Sequence, residues 1–168
     1  MTATMTRPAA IALPAEDLKK ARRTEICNQL NANLSSLQDL GLAVKQAHWN
    51  VRGPNFYGLH ELFDRVAAAV REYADEVAER VVAMGDTAHG TLQDAAKATR
   101  LKPFPTNERR WEPLVREVHA RMHATAEDLR TAAGETEDDP ATEDLYIEVI
   151  RGLEKYAWMV EAHLTKAD

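Results

Sequence analysis

The sequence predicts an all-α protein built as a four-helix bundle, and three observations carry that expectation. Four segments repeat apolar residues at steps of three and four, the period of a helix with one buried face. The breaker clusters Gly53-Pro54 and Pro103-Phe104-Pro105 fall between these segments, and no stretch shows the two-residue alternation of a half-buried strand. One long middle connection joins two pairs of otherwise closely linked segments, which is the connectivity of a bundle with a crossover.

The first helix is expected over residues 17–50. Its stripe is Ile26, Leu30, Leu34, Leu37, Gly41, Val44 and His48, so His48 is on the core-facing side. Arg52-Gly53-Pro54-Asn55 then turns the chain. The second helix, over 57–85, carries Leu59, Phe63, Val66, Val70, Tyr73, Val77, Val81 and Met84, with Gly85 as its stop. Beside that stripe runs a polar one: His60, Asp64, Ala68, Arg71, Asp75 and Glu79. Residues 86–107 form the long connection, with a short helix around 91–98. The third helix is expected over 109–133, with Leu114, Val118, Met122, Thr125, Leu129 and Ala132 inward, Pro113 confined to its first turn and Gly134 ending it. An acidic loop over 135–144 containing Pro140 leads into the fourth helix, about 141–165, with Leu145, Val149, Leu153, Tyr156, Val160 and Leu164 on its stripe.

A chain of 168 residues is long enough for one domain with a real core. We divide it into a flexible tail, 1–15, and the bundle, 16–168. Hydrophobic residues at 45% and charged residues at 29% are ordinary for a globular protein and argue against a disordered or fibrous chain. No apolar run approaches the roughly 20 residues of a spanning helix, and no signal-peptide core is visible, so a cytoplasmic protein is expected. The lone Cys27 excludes an intrachain disulfide and reads as a packed or semi-exposed thiol, with a redox sensor as the alternative. The net charge of −6 repels nucleic acid over the whole molecule and attracts cations.

Residues 48–79 concentrate the ligand chemistry. His60 with Asp64, and Asp75 with Glu79, are i, i+4 pairs, each sharing one helix face. Imidazole and carboxylate together suit iron, zinc or manganese. Asp64 and Asp75 point the same way, but at the helical rise they are roughly 16 Å apart, far beyond the reach of one ion. Either another helix of the same chain completes each half or a second copy does. Glu127, Glu148, Glu154 and Glu161 are scattered, and no Glu-x-x-His pair occurs. Antiparallel second helices about a two-fold axis bring His60 and Asp64 of one chain opposite Asp75 and Glu79 of its mate, with His48 joining its own chain's half. Spacing therefore predicts a metal site shared across a homodimer. The alternative for any single residue is a satisfied core histidine or a solvated helix face.

The run Lys45-Gln46-Ala47-His48-Trp49-Asn50-Val51-Arg52-Gly53-Pro54-Asn55-Phe56, with His60-Glu61-Leu62-Phe63-Asp64 and Asp75-Glu76-Val77-Ala78-Glu79-Arg80, resembles the signature of the Dps (DNA-binding protein from starved cells) or mini-ferritin family. The resemblance extends over nearly the whole chain. It implies a ferritin-like bundle with a short helix in the middle connection, assembled into a hollow dodecamer. It implies a ferroxidase centre in which His48, His60 and Asp64 of one subunit face Asp75 and Glu79 of its two-fold mate. Ferrous iron is oxidised there, in this family preferentially by hydrogen peroxide, and stored as ferric mineral, which protects DNA; zinc or other divalent metals could occupy the same site. Trp49, beside the centre, is implied to intercept stray oxidising equivalents, with interface packing as the alternative.

The resemblance also suggests an iron-entry pore in the acidic loop, with Asp139, Asp144 and Glu148 as lining candidates and a solvated surface loop as the alternative; Glu61 is a candidate for seeding mineral. The i, i+4 pair His119 and His123 reads first as a solvated face and second as an additional metal site. For DNA the available cations are Arg7 in the tail and the cluster Lys19, Lys20, Arg22 and Arg23. Whether they make a nucleoid-associated, DNA-compacting protein is left open at this point.

Overall fold

The computed structural model describes residues 18–165; the expected tail, with Arg7, lies outside the described residues. Five helices follow in order: α1 (Lys20–Asn50), α2 (Phe56–Ala83), α3 (Leu92–Ala98), α4 (Trp111–Gly134) and α5 (Pro140–Glu161). Among the described residues there is no strand, only an isolated bridge between Arg52 and Arg110.

Helices α1 and α2 form one antiparallel hairpin and α4 and α5 another; α1 packs on α4 and α2 on α5. The connection between the hairpins climbs beside α1. Asn31 donates to the Thr87 carbonyl at 3.0 Å, Gln38 to the Gly90 carbonyl at 2.9 Å, Gln46 to the Thr106 carbonyl at 3.3 Å, and the Arg52 amide to the Arg109 carbonyl at 2.7 Å. This strap returns the chain to the end of the bundle where α1 finishes, so α4 runs antiparallel to α1. Arg121, buried beneath it, bonds the Lys102 carbonyl and lies over the Phe104 ring.

The core is the sum of the four apolar stripes. Ile26, Leu30, Leu34, Leu37, Phe63, Leu114, Leu129 and Tyr146 are all fully enclosed, and each large apolar side chain removed from water contributes about 1.5–3 kcal/mol. On α5 the inward face is rotated from the expected one. Tyr146 and Ile150 are buried whereas Leu145, Tyr156 and Leu164 are only half-buried. Asn33 donates to the Tyr146 hydroxyl at 3.3 Å, which satisfies the phenol inside the bundle.

Helix ends show where local chemistry differs from periodicity. Helix α2 ends in a Schellman turn: Asp86 N–H bonds the Val81 carbonyl at 3.2 Å, Gly85 N–H bonds Val82 at 2.9 Å, and Gly85 has φ +84. Thr91 and Asp94 form a reciprocal capping box for α3. Helix α4 begins two residues later than its pattern because Arg110 is extended and the amides of Arg109 and Arg110 bond the Glu108 carboxylate. Gly134 belongs to the last turn of α4, with Glu135 as the cap, rather than stopping it. Pro140 opens α5 instead of lying in the loop, since the first helical position lacks an obligatory N–H partner.

Candidate metal centre

His48 is in the last turn of α1 and His60 in the second turn of α2, so the five-residue turn between the helices sets them face to face. Their rings stack with centroids 3.8 Å apart and planes 20° from parallel. The Nδ1 atom of His48 lies 2.7 Å from the His60 carbonyl oxygen, and Nδ1 of His60 lies 3.0 Å from the His48 carbonyl oxygen. A carbonyl can only accept, so each Nδ1 carries the proton and donates it. Both Nε2 atoms are left with free lone pairs, the form in which imidazole binds a metal, and the ring orientations are held by the second nitrogen. The His48 carbonyl is available because it falls in the last turn of α1, beyond the helix's own donors. His48 is 7% exposed and His60 half-buried.

Asp64 is one turn beyond His60, exposed, and bonded to the ammonium of Lys45 from α1. That bond holds the Asp64 carboxyl below the usual carboxylate range. The carboxylate is therefore ionised at neutral pH, with one cation already at hand. Lys45 is nineteen residues from Asp64, so its pairing is visible only once the hairpin has formed.

Asp75 and Glu79 are exposed further along the same face of α2. Asp64 and Asp75 both border a groove of about 740 Å³ formed by α1, α2 and the start of the crossover. Its floor is apolar, with Leu37, Gly41, Ala67 and Ala74, and the exposed Leu42 and Leu92 stand at its margins. Among the described residues no three His, Cys, Asp or Glu side chains of the one chain gather closely enough to hold a metal. The protomer thus stacks His48 on His60, sets Asp64 one turn beyond His60 at the rim of the groove, and carries Asp75 and Glu79 further along α2.

The other candidates fall in varied places. Trp49 is 59% exposed at the end of α1, and Glu61 is exposed on α2. Asp139, a pore-lining candidate, is tied up within the protomer. It is buried, accepts two bonds of 2.8 Å from Arg80 and one of 2.5 Å from the Thr142 hydroxyl, and faces the bundle interior. Its place before Pro140, at the start of α5, turns it inward. Asp144 and Glu148 stay exposed on α5. His119 is 3.9 Å from the Glu161 carboxylate, and His123 is exposed. Cys27 is fully buried, and burial pushes its thiol upward, away from the reactive thiolate. In the basic cluster, Arg22 is not free: it pairs with Asp138 at 2.7 Å and bonds the Glu135 carbonyl, whereas Lys19 and Lys20 are exposed.

An antiparallel four-helix bundle with a long crossover and ligand-type side chains on facing helices defines a ferritin-like protein. Residues 27–168 match the family model for the ferritin-like domain. The chain is 36% identical over 150 residues to a DNA protection during starvation protein of Agrobacterium fabrum, covering 88% of this chain and 93% of the relative. Its structure is similar to that of Mycobacterium smegmatis Dps in a tetragonal form, with a TM-score of 0.87 and 33% identity, covering 94% and 96% of the two chains. It is also similar to Dps from Microbacterium arborescens in a high iron form, with a TM-score of 0.83 and 32% identity, covering 92% and 100%. The chain belongs to the Dps, or mini-ferritin, family.

Proposed function

We propose that the protein is a ferroxidase and iron-storing cage, whose oxidation site is shared by two chains related by a two-fold axis. The observation that supports this best is the pair of stacked imidazoles whose protons are committed to backbone carbonyls, leaving two Nε2 lone pairs beside an ionised Asp64. Ferrous iron, the substrate, is bound by neutral imidazole, and the carboxylates favour the harder ferric product. Asp75 and Glu79 of the second chain supply the remaining carboxylates. The apolar groove is the surface on which that chain seats, which covers Leu42 and Leu92 and brings the two half-sites together.

Hydrogen peroxide is the preferred oxidant in this reading. Two ferrous ions reduce one peroxide to water, consuming two protons, so no hydroxyl radical is released, and DNA is protected by chemistry rather than by contact. Twelve subunits form the shell that stores the ferric product. Asp144 and Glu148, exposed on α5, are the remaining candidates for the iron-entry route, and Trp49 for intercepting oxidising equivalents. No described helix is long and apolar enough to cross a membrane, which suits a cage of this kind.

The test is anaerobic ferrous oxidation on addition of peroxide. The wild-type chain is expected to oxidise iron at least ~100-fold faster than a His60→Ala, Asp64→Ala double variant of the same assembly, since losing even an outer-shell partner of a metal ligand costs roughly 10–100-fold. Equal rates overturn the reading.

A further inference from the structure

Along the seam between α4 and α5, arginines take up every acid that α4 carries. Glu112 is held by Arg116, Glu117 by Arg121 and Asp128 by Arg100, each at 2.8 Å. Arg130 closes on Glu127 of its own helix and on Glu154 of α5. Glu161, the last residue of α5, is different. Among the described residues it has no guanidinium or ammonium within ion-pair distance. Facing it is an imidazole: Nε2 of His119 lies 3.9 Å from the Glu161 carboxylate. That separation is too long for a hydrogen bond.

Two contacts fix the register of the antiparallel pair, His119 with Glu161 and Arg130 with Glu154. His123, one turn on from His119, falls between them. Residues at i and i+4 share a helix face with Cβ atoms roughly 5–6 Å apart. Two imidazole nitrogens at that spacing reach one ion at bonds of about 2.0–2.1 Å, and the same spacing holds zinc in helical His-x-x-x-His sites. His119 is half-buried, while His123 and Glu161 are exposed. In contrast to His48 and His60, whose Nδ1 protons are committed to carbonyls, neither ring is tied to the backbone among the described residues. The three groups do not converge on one point in the protomer as it stands. All three are rotatable side chains on an open surface, so closing them on an ion requires no backbone movement.

We propose that His119, His123 and Glu161 form a surface site for a divalent transition metal, copper(II) in preference to nickel or zinc. Two nitrogens and one carboxylate oxygen, completed by water, suit the tetragonal geometry of copper(II), which also stands highest in the affinity order of the divalent metals. The site uses no residue of the proposed iron centre and lies on the other hairpin, so the two are separable by mutation.

The test is titration of the full-length protein with copper(II) against glycine as a competing chelator, followed by electron paramagnetic resonance. The wild-type protein is expected to hold one equivalent per chain with a two-nitrogen hyperfine pattern. A His119→Gln, His123→Gln variant is expected to bind that equivalent at least ~10-fold more weakly, with thermal midpoint, assembled size and ferrous oxidation rate unchanged. Glu161→Gln should weaken it about fivefold. A His60→Ala, Asp64→Ala chain should keep it in full. Undiminished binding in the double histidine variant overturns the proposal, as does a signal from a single nitrogen or an equivalent lost with His60→Ala, Asp64→Ala. Undiminished binding in Glu161→Gln removes the carboxylate from the site and overturns the three-ligand assignment.

Discussion

The two ends of the bundle handle polar groups in opposite ways. At the end where α2 finishes, the acids are consumed within the protomer: Arg80 closes on Asp139 and Thr142, and Arg22 on Asp138 and the Glu135 carbonyl. At the end where α1 finishes, the histidine protons are consumed but the Nε2 lone pairs are not, and Asp64 is exposed with Lys45 bonded to it. The first arrangement latches a loop. The second leaves ligand valences that nothing in the same chain satisfies. Acidity alone therefore does not single out the candidate metal site in this fold; ligand capacity left over after folding does.

The sharpest way to break the comparison is complementation between chains. If the iron site is shared, His60→Ala and Glu79→Ala chains are each inactive alone, but a mixed dimer holds one intact site. Co-refolding the two in equal amounts is expected to restore roughly a quarter of wild-type sites, read as the initial rate of ferrous oxidation. A mixture as inactive as its components would place all ligands in one chain.

The latch should respond as a buried pair. Replacing Arg80 by Met leaves Asp139 buried without its counter-charge and is expected to cost about 3–5 kcal/mol, seen as a large fall in thermal midpoint. Adding Asp139→Asn should recover part of it. The partner at the other end, Lys45→Met, leaves only an exposed carboxylate and should shift the midpoint little.

Gly53→Ala tests the turn that carries His48 to His60. The Gly53 φ is +137, and a Cβ there would stand 2.4 Å from the Trp111 ring. Together these predict a loss of about 1–3 kcal/mol, with a change in tryptophan emission from the displaced indole. An unshifted midpoint and spectrum would mean that the bond from Trp111 N–H to the Arg52 carbonyl is not needed to set the hairpin.

The smallest effect is a pH dependence in the core between the two ends. Burial raises the Tyr146 phenol above the ordinary tyrosine range. A raised acid contributes stability that is complete below its unfolded value and lost as pH rises through the folded one. The wild-type midpoint should therefore fall on the alkaline side more steeply than that of Tyr146→Phe, which starts about 1 kcal/mol lower through the lost Asn33 bond. Parallel curves would show that Tyr146 does not titrate in unfolding.

Much of this molecule was legible before folding. Periodicity placed the four helices and the inward faces of α1, α2 and α4, because burial of an apolar stripe depends on spacing alone. Composition around residues 48–79 singled out the candidate ligands that share a face of α2, because i, i+4 spacing fixes which side chains share a helix face. Helix ends were less legible, since competing acceptors decide them: the Glu108 carboxylate delays α4, and Pro140 is accepted as the first residue of α5. Three features were settled only by the tertiary structure. The histidine tautomers depend on carbonyls twelve residues away, the Lys45–Asp64 bond spans the hairpin, and Asp139 pairs with Arg80 from another helix. Each joins residues on different elements, and a one-dimensional pattern holds no distance between elements until the core has packed them together.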